Sequence, residues 1–214
     1  MPVGVSDSLA ALVSGGIDSP VAAHEVMTRG SNITPIYFYN KPIAAEDHLL
    51  RLESVLKSLE RFHPSKKWEY FVVDMEEVNN ELMEIGRGRM LLHRKIMFEV
   101  SEKIAEKEGL SGLVTGEAIG QKSSQTPENL EFTSSSVDKP ILRPLITSKK
   151  SSITERARSI GTFEDASINS ACSTMAPDNP ATSMSDNDLR KLEEKVDIEE
   201  LVQKAIDSAE KRKL

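Results

Sequence analysis

The chain has 214 residues, 34 acidic against 27 basic side chains, a formal charge of -7 and one cysteine. That length suits one domain with a core large enough to dispense with disulfides or structural metals. The acidic balance excludes a general nucleic-acid coat, because phosphate binding rests on Lys and Arg. A lone cysteine excludes an intrachain disulfide and a self-contained multi-cysteine metal site. No apolar run approaches the ~20 residues of a membrane span, and Met1 to Asp7 lack the charged and apolar regions of a signal peptide. No membrane partner and a cytoplasmic location are therefore expected.

In chain order, Leu9–Val13 is a predicted strand and Val21–Arg29 a helix stopped by Gly30. Ile33–Tyr39 is a second strand. Ala44–Phe62 is a helix, with Leu49, Leu52, Leu56 and Leu59 at three- and four-residue steps. Trp68–Val73 is a third strand. Met90–Lys107 is a long helix carrying Leu92, Ile96, Val100 and Ile104 in one stripe, with Gly109 behind it. Leu110–Thr115 is a fourth strand. Residues 121–140 are polar and Thr133 to Ser136 suggest a loop. Ile141–Ile146 is a short strand that Pro144 restricts to an edge or a terminus. Ser151–Ile160 is a helix ended by Gly161, and beyond Phe163 the chain reads as irregular to about Asp186. Two amphipathic helices close it, with Leu189, Leu192 and Val196, then Ile198, Leu201, Val202, Ala205 and Ala209. Strands alternating with helices predict an α/β fold, a mostly parallel sheet with helices on both faces. The expected division is residues 1–185 as the nucleotide-binding domain and 186–214 as C-terminal helices packed on it, with a homodimer contact as their less favoured use.

Two motifs lie at strand ends, where such sheets bind ligands. Ser14-Gly15-Gly16-Ile17-Asp18-Ser19 follows the first strand. Two glycines let backbone N–H groups turn around an anion where a Cβ would obstruct the approach, and Ser19-Pro20 suit a helix start. The loop is neither a Walker A sequence nor a Gly-x-Gly-x-x-Gly turn. It resembles the pyrophosphate loop of the ATP pyrophosphatases. Thr115-Gly116-Glu117-Ala118-Ile119-Gly120-Gln121-Lys122-Ser123-Ser124-Gln125-Thr126 follows the fourth strand. There Gly116 is expected to let the backbone approach a base or ribose, and Gln125 to supply an amide. Two basic clusters could meet RNA or be ordinary solvated faces: Arg87, Arg89, His93, Arg94 and Lys95, and Lys139, Arg143, Lys149 and Lys150.

Together SGGIDSPVA, TGEAIGQKSSQT, ILRPLI and the Cys172…Pro180-Ala181-Thr182 segment resemble the ThiI family of tRNA 4-thiouridine synthetases. Those enzymes are linked in some organisms to the thiazole of thiamine. The likeness runs from about Leu9 to the C-terminal helices and covers that family's pyrophosphatase domain. It implies ATP and Mg²⁺ as cofactors. Ser14, Gly15, Gly16, Asp18 and Ser19 would hold the pyrophosphate portion, with Ile17 inside the loop. Leu12-Val13 and Tyr37-Phe38 would border adenosine, and Gly116 and Gln125 fall on nucleotide contacts. The family's basic pair falls at His93 and Arg94. His93 departs from the usual Lys or Arg, which leaves Arg94 the safer phosphate ligand. Asp18 would position metal or substrate. Cys172 aligns with a sulfur-transfer cysteine, although a lone cysteine can equally be a small buried hydrophobe.

By the family's mechanism, uridine O4 attacks the α-phosphate of ATP, pyrophosphate leaves, and sulfur then displaces AMP. With one cysteine and no rhodanese-like region, the expected sulfur donor is external, a persulfide protein or sulfide. The family's THUMP domain, which grips tRNA, has no counterpart here, so tRNA is expected to bind weakly without a separate THUMP protein or a dimer. Two alternatives stay open: a pyrophosphatase adenylating a non-tRNA substrate in thiamine-related sulfur metabolism, and a non-catalytic ATP-binding subunit.

Overall fold

The protein is described from a computed structural model covering residues 7–40, 47–63, 68–86, 88–119, 125–166, 184 and 186–214. Its centre is a six-stranded sheet built from β1 (Ser8–Leu12), β2 (Asn32–Tyr39), β3 (Glu69–Asp74), β4 (Leu113–Val114), β5 (Ile141–Leu142) and β6 (Glu210–Lys213). The order is β5-β4-β1-β2-β3-β6, with only β6 antiparallel to its neighbour. In β1, Leu9 and Ala11 join one core while Ala10 and Leu12 join the other, so both faces are buried. That is the pleat's period of two in a sheet covered on both sides.

One face is covered by α1 (Asp18–Thr28), α2 (Asp47–Glu60) and α6 (Lys150–Ser159), through Val21, Met27, Leu52, Leu56, Ile153 and Ala157. The other is covered by α3 (Glu76–Met83), α4 (Arg89–Lys107) and α9 (Ile198–Asp207), through Val78, Leu82, Leu92, Ile96, Leu201 and Val202. Between these lie α5 (Pro127–Ser134), α7 (Phe163–Ala166) and α8 (Asp186–Glu193). Among the described residues no helix is long and apolar enough to cross a membrane.

Several elements differ from expectation. The helix α1 begins at Asp18, three residues early, because the loop closes directly into its first turn. The fourth strand is only two residues long, and β5 ends at Leu142, before Pro144. As that proline requires, β5 is an edge strand. Three helices are absent from the sequence expectations. In α3 only Val78 and Leu82 mark the apolar side of a charged segment. The segment read as loop contains α5, which reaches through Thr133 and Ser134. Its start was legible: Thr126 accepts the Asn129 N–H and Pro127 occupies the first turn. The short α7 interrupts the stretch read as irregular beyond Phe163. At the C-terminus α9 ends at Asp207, and 210–213 form a strand on β3 instead of extending the helix past Ala209.

Candidate nucleotide site

At the carboxyl end of β1 the chain enters a loop closed by its own hydroxyls. Ser14 N–H donates to Ser19 Oγ at 2.8 Å, the two hydroxyl oxygens lie 2.9 Å apart, and Gly16 N–H donates to Ser14 Oγ at 3.2 Å. Positive φ is not the reason for the paired glycines, since neither Gly15 nor Gly16 adopts it. A Cβ on Gly15 would meet the Arg51 side chain at 3.4 Å, and one on Gly16 the Ser14 hydroxyl at 3.3 Å. The missing side chains keep the backbone amides approachable.

A mainly apolar pocket opens beside this loop, between the ends of β1 and β2 and the helices α2 and α4. Of the residues assigned to a nucleotide, Leu12, Val13, Ser14, Gly15, Tyr37 and Phe38 line it. So do Ile36, Asn40, His48, Arg51 and Met97, which were not singled out from the sequence. His48 and Arg51 lie one turn apart near the start of α2, a spacing that could have drawn notice. Gly16, Ile17, Asp18 and Ser19 lie in the loop and first helical turn and do not line the pocket; Ile17 packs on the core instead.

At Gly116 the structure adds a packing constraint to the expected approach of a base or ribose. An added Cβ would lie 2.6 Å from Ser19 N and 2.8 Å from the Asp18 carbonyl carbon and Ser19 Cα. Its missing side chain lets the turn after β4 press against the start of α1, so the two motifs touch backbone to backbone. Gln125 is buried, and its Oε1 has no hydrogen-bond partner among the described residues. A buried amide oxygen left open is costly unless something else completes it.

The basic residues are mostly committed. His93 is buried outside the pocket, with Nε2 3.1 Å from Asn40 Oδ1, which makes the neutral ring the donor. Burial, reinforced by the Arg94 charge, lowers its pKa to about 4. It is therefore uncharged near neutrality and supplies no cation to a phosphate. Lys95 pairs with Glu193 at 2.8 Å, Arg94 with Glu117 at 2.6 Å, and Arg143 with the other Glu117 oxygen at 2.8 Å. Lys150 donates to Asp18 Oδ1 at 2.6 Å, where α6 meets the start of α1. Arg87 lies outside the described residues. The first basic cluster is thus largely interior, and in the second only Lys149 and Lys150 are exposed, with Lys139 half-buried. Glu117 was passed over inside the second motif, though a carboxylate at a strand end among small neutral residues was a readable signal.

Cys172 also lies outside the described residues. No group of three or more His, Cys, Asp or Glu capable of holding a metal occurs among the described residues. Asp18 is the carboxylate at the loop, and Mg²⁺ is commonly held by one or two carboxylates together with substrate phosphates. Asp18 therefore fits an ion carried mainly by the phosphates.

The ThiI family profile, described as thiamine biosynthesis protein, matches residues 4–198. A Halobacterium salinarum protein named probable tRNA sulfurtransferase is 43% identical over 183 residues, 85% of this chain and 47% of the relative. One of the same name from Clostridium botulinum is 34% identical over 214 residues, 98% of this chain and 55% of the relative. The chain thus spans about half the length of these relatives. A crystal structure of a 4-thiouridine synthetase–RNA complex with bound ATP superposes at a TM-score of 0.93 with 34% identity, covering 100% of this chain and 56% of that one. On sequence, topology and loop alike, this chain belongs to the ThiI family.

Proposed function

We propose that this chain is the ATP-pyrophosphatase unit of a tRNA sulfurtransferase that converts uridine to 4-thiouridine. One observation carries the reading: a hydroxyl-closed loop opening into an apolar pocket, on a chain that superposes over its whole length on a 4-thiouridine synthetase holding ATP and RNA. ATP serves as second substrate. Leu12, Val13, Tyr37 and Phe38 border its adenosine. The loop N–H groups not spent on the Ser14 and Ser19 hydroxyls, those of Gly15, Ile17, Asp18 and Ser19, face its pyrophosphate, aided by the positive end of α1. Gln125 offers its open amide oxygen to a nucleotide donor. Uridine O4 attacks the α-phosphorus, the bond to pyrophosphate breaks, and O4 becomes part of a good leaving group. A sulfur nucleophile then adds at C4 and the C4–O bond breaks, releasing AMP.

The chain's own contribution is placement and compensation of charge on the departing pyrophosphate. Arg94 supplies a guanidinium, and Lys150 a cation whose pairing with Asp18 can be exchanged for phosphate. Mg²⁺, when bound through Asp18 and the phosphates, would offset further negative charge. Sulfide can serve as the sulfur nucleophile directly. In the relay, the Cys172 thiolate attacks the outer sulfur of an external persulfide and the donor leaves as a thiol. The transferred sulfur attacks C4, and a second, external thiol cleaves the resulting Cys172–S–S–C4 disulfide. A THUMP-bearing region or a second copy would supply the remaining grip on tRNA.

The test is pyrophosphate release from Mg·ATP with sulfide, with and without unmodified tRNA, while 4-thiouridine is read by near-ultraviolet absorbance. RNA-stimulated release together with thiolation is the expected result. Pyrophosphate release independent of RNA would move the reading to a non-tRNA substrate, and the family's description as a thiamine biosynthesis protein points to where such a substrate would be sought.

A further inference from the structure

We propose that Glu117 is a positioning residue whose buried carboxylate, gripped from both sides by Arg94 and Arg143, holds the Arg94 guanidinium in place to receive a phosphate anion of the nucleotide. This rests on the ATP reading above and deepens it.

The placement of Glu117 leaves little freedom. It sits one residue after Gly116, whose backbone is pressed against Asp18 and Ser19, and its own N–H donates to Thr115 Oγ1 at 3.3 Å. Its side chain is 5% exposed, and each carboxylate oxygen receives one arginine: Oε1 from Arg94 Nη1 at 2.6 Å, Oε2 from Arg143 Nε at 2.8 Å. Arg143 is braced in turn. It donates to Ser134 Oγ at 2.5 Å, near the end of α5, and its guanidinium lies 5.9 Å from the Phe98 ring centre. A planar guanidinium held at one edge keeps its remaining N–H groups pointed in fixed directions. Arg94 spends only Nη1 on Glu117, and among the described residues its other N–H groups make no further hydrogen bond. Arg94 stands three residues before Met97, a wall of the pocket, and so shares that face of α4.

The charge count separates this from an ordinary structural staple. Two guanidiniums meet one carboxylate, and the arginine side chains are only 20% and 17% exposed. The nearby groups do not redress the excess: His93 is neutral, and Asp18 is matched by Lys150. A partly buried cluster with one surplus positive charge is costly until an anion completes it. The phosphate loop lies directly across the Gly116–Ser19 contact, so a nucleotide phosphate is the anion within reach. The carboxylate also screens the two arginines from each other, keeping Arg94 from swinging out into solvent.

The experiment measures equilibrium binding of Mg·ATP by calorimetry, and KM and kcat for pyrophosphate release, in wild type, Glu117→Gln, Arg94→Met and the double variant. A glutamine oxygen can hold only one arginine well. Glu117→Gln is expected to weaken ATP about tenfold, as for one well-aimed charge-assisted hydrogen bond, and to raise KM more than it lowers kcat. Because Glu117 acts through Arg94, the double variant should bind ATP no worse than Arg94→Met alone. A structural staple would not produce that epistasis. If Glu117→Gln fails to fold, Glu117→Gln with Arg143→Met retains the net charge and leaves the amide oxygen to Arg94, and the same comparison is made from that background. Unchanged or tighter ATP binding in Glu117→Gln, the latter meaning that surplus charge and not the aim of Arg94 governs affinity, or losses that multiply in the double variant, overturns the proposal while leaving the ATP reading intact. Wild-type protein that binds no Mg·ATP overturns both.

Discussion

At the residue scale, the two motifs depend on each other through one missing methyl group. A Cβ on Gly116 would collide with the backbone of Asp18 and Ser19, and backbone cannot rotate aside as a long side chain can. Gly116→Ala is expected to cost about 1–3 kcal/mol of stability, as overpacking does, and to weaken Mg·ATP by shifting the phosphate loop. Denaturant midpoints together with ATP titration check this. A fully tolerated alanine would mean that the turn after β4 can move away from α1. By contrast Gly15→Ala meets only the aliphatic stem of Arg51 within the protein, at 3.4 Å from Cδ and 3.7 Å from Cγ, which is ordinary contact, so its effect should fall on ligand binding and spare the fold.

At the scale of elements, the C-terminal strand β6 has a protective position. It pairs antiparallel with β3 from Glu69↔Lys213 to Val72↔Glu210, and Leu214 N–H donates to Trp68 O at 2.9 Å. Without it, the β3 run Tyr70-Phe71-Val72-Val73 would form an open sheet edge. Edges carrying apolar strands invite pairing with other chains, whereas Glu210-Lys211-Arg212-Lys213 presents charge. Deletion of residues 210–214 is expected to lower the melting temperature by several degrees and to give concentration-dependent association by light scattering. An unaltered monodisperse protein would rule out this role. The sequence did not disclose β6 because four consecutive charged residues carry no alternation of apolar and polar positions. Only the unpaired edge of β3 makes them a strand.

At the scale of the whole molecule, burial biases His24, His63 and His93 toward their neutral forms. His93 titrates near 4, and His24 and His63 are also lowered, each mainly by desolvation. Between pH 4 and about 6.5 the unfolded chain therefore binds protons that the native state refuses. Stability must rise with pH across that window and fall on acidification. For His93 the contribution is about 3 kcal/mol, given ~1.4 kcal/mol per pKa unit. Urea midpoints from pH 4.5 to 7.5 should show this slope, reduced in His93→Gln, whose amide can still donate to Asn40. Equal slopes in the two proteins would mean that the imidazole is not buried neutral.

The sequence by itself determined the alternation of strands and helices, since periods of 2 and 3.6 are local properties and the long apolar runs here are strongly marked. It also marked the Ser-Gly-Gly loop, whose spacing is contiguous, while the resemblance to a known family pointed to Leu12, Val13, Tyr37 and Phe38, which line the pocket beside that loop. Only the tertiary structure decided how distant charges pair. Asp18 meets Lys150, His93 meets Asn40, and Glu117 gathers Arg94 and Arg143. These partners lie up to 132 positions apart, as between Asp18 and Lys150. Composition counts their charges one by one, and so a helix rich in basic residues read as a surface patch. Packing places His93 and Lys95 in the interior and leaves Arg94 facing a carboxylate, because α4 turns that side toward the sheet. Whether a charge is solvated, neutralised or aimed at a ligand is a property of what surrounds it. That environment exists only once the chain has folded.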